Sequence, residues 1–243
     1  MNQTLPRVLR FGDLLMLTIG TVIGSGIFIV PATVLRLTGG EVGPALLVWI
    51  AGGVLSILGA LTYAELAAMK PESGGLYVFL RDAFGGFVAF LYGWALFFVI
   101  SSATVATLAV AFADYMDQLV PLSDWGGKAV AIGMVAVIAV INVASTRQSA
   151  NMQNWTTALK VGAILIMSMM LLGRGNGLEG ASVVPAFMDL SLLVAMGAAM
   201  IGVLWAYEGW HYVTFSAGEA LETQRSFAPA IIVGTTALVG IYL

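Results

Sequence analysis

Long apolar stretches separated by short polar segments dominate the pattern along the chain. Six stretches approach the roughly 20 residues that a membrane-crossing helix needs, at positions 13–37, 44–69, 86–111, 129–144, 151–172 and 190–217. The fourth stretch is short, and we expect its helix to extend into the flanks. A seventh stretch starts near Ala228 and is still apolar at Leu243, which leads us to expect that the sequence is a fragment.

Composition supports the same interpretation. Apolar residues make up 60% of the 243 positions and charged residues only 9%, whereas soluble domains carry roughly 25% charge. The mean hydropathy is +0.97. So much apolar surface cannot be buried inside one core, and the rest must face lipid. The sequence therefore predicts an all-α, polytopic membrane protein.

Charge and residue usage exclude several other classes of function. A net charge of −3 leaves no basic patch for nucleic acid. Because the chain has no cysteine and one histidine, we predict no thiolate or histidine metal centre, no cofactor and no partner linked by a disulfide.

The basic residues of alternate loops indicate the orientation. With residues 1–12 in the cytoplasm, six basic residues lie inside and three outside, which favours this orientation in the cell membrane. The six are Arg7, Arg10, Lys70, Arg81, Arg147 and Arg225, and the three are Arg36, Lys128 and Arg174.

The first span contains a weak point near its centre. Gly24 and Gly26 flank Ser25, which lies about 18 Å along a helix from residue 13. If the helix opens there, the amides of Ser25, Gly26 and Ile27 form a half-helix N-terminus suited to a carboxylate. The alternative is close helix packing, because Gly20 and Gly24 form a GxxxG pair.

The sixth span also has an irregular centre. Residues 205–211 read WAYEGWH, so that Glu208 is followed by Gly209 inside an apolar stretch. Unwinding at Gly209 would free carbonyls suited to an ammonium group. The alternative is a kinked, continuous helix with Glu208 hydrogen-bonded inside the bundle. Ionisable residues in a span are costly and usually functional.

Lys160 is the third unusual residue. It lies about 13 Å into the fifth span, too deep for its ammonium to reach water easily. Its ammonium can bridge helices as a substitute for a bound cation. Alternatively, desolvation of the ammonium can favour proton exchange. Of the two, the sequence favours structural bridging.

Three motifs in order resemble the amino acid–polyamine–organocation superfamily, in particular its L-type amino acid transporter branch. The first is TIGTVIGSGIFIVP at 18–31, similar to the family's G-[ST]-G break. The second, TYAELAAMKPESGGLY at 62–77, resembles its A-E-L…P-x-S-G-G-x-Y signature. The third, GEALETQRSFAPAI at 218–231, resembles its segment after the sixth span.

The resemblance implies a fold of two inverted five-helix repeats in which helices one and six are discontinuous. Residues 13–172 would form the first repeat, and residues 190–243 would form helix six and part of helix seven. The remaining C-terminal helices of the same transporter would then be partners of this chain, together with membrane lipids.

The resemblance also assigns roles residue by residue. The amides of Ser25, Gly26 and Ile27 would hold the substrate carboxylate, and backbone carbonyls would hold its amino group. Trp205 would close over the substrate, and Lys160 would occupy the place of a sodium ion, so that sodium coupling is not expected. The carbonyls belong to Val22, Trp205, Ala206 and Glu208.

One position departs from the family pattern, because Glu208 replaces a residue that is usually small. Its carboxylate could recognise a cationic side chain, carry a proton or pair with Lys160. The sequence thus predicts a secondary amino acid transporter, either an exchanger or proton-coupled, and not an enzyme. The alternatives are a polyamine permease and an inactive truncated protein. An intramembrane enzyme using Glu208 and His211 lacks a nucleophile or metal.

Overall fold

The structure is a computed structural model that describes residues 7–174, 189–221 and 223–243. Residues 1–6 of the predicted N-terminal segment and position 222 of the third motif lie outside that range. The regular elements of the described residues are helices, and an isolated β-bridge joins Leu9 to Ala220. The predicted all-α class is confirmed.

The helices follow the predicted apolar stretches, with an added short helix. They are α1 (Phe11–Val22), α2 (Gly26–Leu37), α3 (Val42–Met69), α4 (Leu76–Phe84), α5 (Gly86–Ala95), α6 (Ser102–Leu119), α7 (Asp124–Ala144), α8 (Thr146–Arg174), α9 (Leu190–Ala206) and α10 (Thr223–Tyr242). Within the described residues, six helices are long and apolar enough to cross a membrane, and the bent pair α1–α2 gives a seventh candidate. The chain is an integral, multi-pass membrane protein.

Two spans add detail to the prediction. The fourth span extends into its N-terminal flank, as expected, and begins at Asp124, where the Ser123 hydroxyl accepts from the Gly126 amide at 3.2 Å and caps α7. The third span contains a π-helical turn, Leu96–Ser101, between α5 and α6. There the Ser102 hydroxyl donates to the Phe97 carbonyl five residues earlier. Alternation of apolar and polar residues does not reveal such a turn.

One compact unit comprises Met1–Gly75 and Ala150–Leu243, and glycines on α3 let its helices approach closely. A Cβ on Gly53 would lie 2.7 Å from Val239 of α10, and one on Gly59 would lie 2.8 Å from the Trp210 ring. Small residues at helix contacts are how membrane helices gain packing energy without a hydrophobic driving force.

Three segments of the chain meet at one end of this unit. The Leu9 amide donates to the Glu219 carbonyl at 3.0 Å, and the Gly218 amide donates to the Ser73 hydroxyl at 3.0 Å. Gly75, at φ +52°, lies against the helix that contains residue 218, where a Cβ would meet Thr214. The second and third motifs thus contact each other, and the charge pattern predicts both on one side of the membrane.

The other compact unit is Leu76–Ser149. It contains α4, α5, the π turn, α6 and α7, with α6 and α7 packed as an antiparallel pair joined by a short loop. The Asp117 carboxylate accepts from the Leu122 amide at 2.7 Å and holds that loop.

Candidate functional site: two broken helices

The first span is broken at its middle. α1 ends at Val22, α2 begins at Gly26, and the two helices, of 12 residues each, are bent by 46°. The exposed residues Gly24 and Ser25 form the break, with Ser25 at the N-cap of α2. The span is therefore discontinuous where the sequence predicts a break. Close packing also occurs at Gly20, where a Cβ would meet Thr157 of α8.

The break leaves amides without partners. Within the described residues, the N–H groups of Ser25, Gly26 and Ile27 form no hydrogen bond, while those of Phe28 and Ile29 donate to the Ser25 carbonyl. The first N–H groups of a helix have no carbonyl one turn earlier to accept from them. Free amides at the positive end of a helix dipole attract a carboxylate.

The sixth span is also broken near its middle, but the local structure at this break is different. α9 ends at Ala206, and a 3-10 helix, Trp210–Glu219, follows a turn in which Gly209 has a φ of +125°. The Glu208 amide donates to the Trp205 carbonyl at 3.2 Å. In the part of the chain that the structure describes, the carbonyls of Ala206 and Glu208 accept no hydrogen bond. These free carbonyls can accept from an ammonium group.

The two breaks are in contact. A Cβ on Gly26 would lie 3.1 Å from the Cα of Ala206 and 3.4 Å from the Trp205 ring. A Cβ on Gly209 would lie 2.8 Å from the Thr21 carbonyl oxygen. The Thr21 hydroxyl lies 3.0 Å from the Gly209 carbonyl and joins the breaks directly. The break with free amides and the break with free carbonyls are therefore direct neighbours.

Two residues of this region were missed in the sequence. Thr21 is a polar residue one position before Val22, and its place in an apolar span was a usable signal. Tyr242 could not be found in that way, because it lies on α10, more than two hundred positions away. Its hydroxyl donates to the Val22 carbonyl at 3.4 Å, and that oxygen keeps a second lone pair.

Lys160 contacts the end of the first half-helix. Its ammonium donates to the Gly20 carbonyl at 3.2 Å. In a continuous helix this carbonyl would accept from the Gly24 amide, so the break frees it. A cation at the negative end of α1 also complements the helix dipole. Thr157, one turn earlier on α8, donates to the Met16 carbonyl at 3.3 Å.

Glu208 projects from the second break, where its carboxylate is half exposed. The His211 imidazole lies beside it, with its Nε2 3.7 Å from the Glu208 Oε1. The suggested pairing of Glu208 with Lys160 is not formed, because the Lys160 ammonium donates to α1 instead.

A cavity of about 830 Å³ lies elsewhere, between α6 and α7. Five of its fifteen lining residues are alanines, and its charged lining residues are Asp114, Asp117, Asp124 and Lys128. It contains none of the predicted binding residues. The predicted site residues instead gather at the two helix breaks.

Known proteins resemble this chain along nearly all of its length. A family model described as amino acid permease matches residues 9–243. The human b(0,+)-type amino acid transporter 1 is 35% identical over 239 residues, which are 93% of this chain and 47% of the relative. The serine/threonine exchanger SteT of Bacillus subtilis is 33% identical, covering 94% of this chain and 51% of the relative.

A third relative gives the same picture. The human large neutral amino acids transporter small subunit 2 is 32% identical over 93% of this chain and 43% of its own length. The chain therefore spans about half the length of the curated relatives it matches. By their names these relatives are transporters of amino acids, not enzymes.

Proposed function

The chain belongs to the amino acid permease family, and from that premise we propose that it binds α-amino acids as part of a sodium-independent secondary transporter. The substrate lies between the two helix breaks and is carried by alternating access. The transporter works in the cell membrane with the N-terminus of this chain in the cytoplasm. Residues 13–172 correspond to the first repeat and residues 190–243 to the start of the second.

The observation that carries this proposal is the opposite chemistry of the two breaks. Ser25, Gly26 and Ile27 offer free amides, and Ala206 and Glu208 offer free carbonyls, with Gly26 in contact with Ala206. An α-amino acid has a carboxylate and an ammonium on one carbon, so a single molecule satisfies both sets. Transporters that use discontinuous helices bind anionic groups at half-helix N-termini in this manner.

Trp205 and Lys160 have supporting roles in the proposal. The Trp205 ring lies beside Gly26 and is 57% exposed, so it is free to cover a bound substrate. The Lys160 ammonium neutralises the end of α1 without a metal ion. This contact supports sodium independence. We propose exchange rather than proton symport, as the name of the Bacillus relative suggests.

Glu208 adds a preference for the charge of the substrate side chain. Its half-exposed carboxylate projects from the same turn whose backbone carbonyls are proposed to bind the substrate ammonium. A lysine or arginine side chain bound between the breaks can reach such an acid. We therefore propose that cationic amino acids are preferred over neutral ones of similar size.

Uptake into proteoliposomes tests the function. The 243-residue chain is compared with a version extended by the remaining length of its relatives, each with and without amino acid inside. Uptake of labelled amino acid that needs internal amino acid and ignores sodium supports exchange. Uptake driven by a proton gradient without internal substrate would assign proton symport instead. No uptake or binding of neutral, cationic or acidic amino acids would refute the assignment.

The charge preference has its own test. Glu208→Gln keeps the backbone carbonyl and the size of the side chain but removes the charge. We expect weaker lysine and arginine uptake and unchanged leucine uptake, with Glu41→Gln, at the start of α3, as the matched control. Equal losses for all substrates would refute charge selection.

One alternative has a specific observation behind it. A half-exposed carboxylate beside free carbonyls also suits a polyamine, which has no carboxylate. A competition assay distinguishes an amino acid transporter from an amine permease. If a polyamine displaces labelled lysine and alanine does not, the result would favour an amine permease.

A further inference from the structure

We propose that His211 is a specificity-determining residue, whose protonated imidazole pairs with the Glu208 carboxylate and competes with cationic substrates for it. The preference for cationic amino acids then weakens as the pH falls. This inference rests on the proposed function and adds a residue and a regulation to that site.

The geometry brings the two side chains together. Gly209, with its φ of +125°, turns the chain between α9 and the 3-10 helix, so that Glu208 and His211 lie on the same side of the turn. The His211 Nε2 lies 3.7 Å from the Glu208 Oε1. The imidazole is 18% exposed and the carboxylate 49% exposed, so the carboxylate is accessible to a substrate while the imidazole is largely buried beside it.

Aromatic rings hold the imidazole in place. The ring centroid of Tyr212 lies 4.4 Å away, that of Trp210 5.5 Å away, and that of Tyr63 on α3 5.6 Å away. Among the described residues packed around the imidazole, the titratable groups that face it are Glu208, Tyr212 and Tyr63. The tyrosines stay neutral near neutral pH, so Glu208 is the anion available to a protonated His211.

The competition follows from the charges. A neutral imidazole leaves the Glu208 carboxylate to a lysine or arginine side chain. A protonated imidazole pairs with the carboxylate and repels that side chain. Histidine is the side chain whose ordinary pKa places its change of charge between about pH 5 and 8. Between about pH 7.5 and about pH 5.5, the neutral fraction of an ordinary imidazole falls roughly tenfold.

The test measures lysine binding relative to leucine binding as a function of pH. Purified protein in nanodiscs is titrated with labelled lysine and labelled leucine at about pH 7.5 and about pH 5.5. The wild-type ratio should fall, by at most about tenfold, which is the limit for an imidazole with an ordinary pKa. His211→Gln, which places a neutral donor near the same position, should keep a high ratio at both pH values. His211→Arg, with a permanent charge, should give a low ratio at both.

The outcomes separate this inference from the proposed function. Failure of the wild type to bind either amino acid at any pH refutes the proposed function. A wild-type preference for lysine that does not change with pH, or that changes equally in His211→Gln, refutes the role of His211. The second case would assign the pH dependence to protonation of Glu208 itself, which remains in the variant.

A second measurement does not depend on transport. His211 is the single histidine of the chain, so ¹⁵N-histidine labelling gives NMR signals from one imidazole. We expect its titration midpoint to differ between the wild type and Glu208→Gln, and to be unchanged in the matched variant Glu41→Gln. Equal midpoints in all three proteins would show that the imidazole and the carboxylate do not interact.

Discussion

Gly209 joins the two broken helices, and its replacement by alanine tests whether their contact forms the site. Its φ of +125° lies in a region that residues with a Cβ rarely adopt. A Cβ there would lie 2.8 Å from the Thr21 carbonyl oxygen, which is a backbone atom and cannot rotate away. Alanine therefore has to change the turn or push α1 aside.

The size of the effect follows from two terms. A strained backbone conformation costs about 1–3 kcal/mol. Displacement also breaks the hydrogen bond from the Thr21 hydroxyl to the Gly209 carbonyl, which contributes about 1 kcal/mol. Together the two terms predict that Gly209→Ala lowers the free energy of unfolding by about 2–4 kcal/mol. We also expect amino acid binding to fall at least tenfold, because the amides of α2 and the carbonyls after α9 no longer face one region.

The assay is thermal unfolding in nanodiscs combined with binding of labelled amino acid. Gly197→Ala is the matched control, because it lies in the middle of α9 with no atom within 4 Å of its added Cβ. That control should be neutral or slightly more stable, since alanine favours a helix by up to about 1 kcal/mol. If Gly209→Ala retained wild-type stability and binding, the contact between the breaks would not be what forms the site.

Three further predictions concern polar contacts around the bundle. Lys160→Met should abolish amino acid binding and lower the free energy of unfolding by about 1.5–3 kcal/mol, because the Gly20 carbonyl of α1 loses its charged donor. A binding isotherm like that of the wild type would contradict this expectation. Asp13 accepts from the Arg10 amide at 2.9 Å and from the Asn154 side chain at 2.7 Å, so Asp13→Ala should destabilise the protein by about 3 kcal/mol and more than Asn154→Ala. Equal melting curves for those two variants would refute that ranking. Hydrogen bonds from the Leu192 amide and the Ser191 hydroxyl lower the pKa of Asp189 below its usual 3.8. The ionised Asp189 carboxylate therefore stabilises α9 at pH values above its usual pKa. The difference in stability between the wild type and Asp189→Ala, followed by circular dichroism, should shrink as the pH falls through the lowered pKa.

The membrane class and the span positions were predictable from the sequence because lipid imposes a simple rule. A spanning helix must be apolar for about 20 residues, whatever it packs against. The weak points at Gly24 and Gly209 were also predictable, because glycine next to a polar residue disfavours a helix locally. Each of these properties depends on residues that are close together in the chain.

Whether the weak points open, and what they contact, is decided by tertiary structure. A GxxxG pair is compatible with either packing or a break, and neighbouring helices determine which occurs. The Thr21 contact with Gly209 and the Tyr242 contact with Val22 join residues about two hundred positions apart. The sequence likewise leaves three roles open for Glu208, one of them a pair with Lys160, and in the structure its carboxylate lies beside His211 while Lys160 donates to α1.

The physical reason is the range of the interactions involved. Transfer into lipid and local helix propensity act residue by residue, so the sequence alone determined the class, the spans and the candidate breaks. Hydrogen bonds, ion pairs and close contacts act over a few ångströms between atoms that only folding brings together. The joining of the two breaks and the cation at the end of α1 were therefore decided by the tertiary structure.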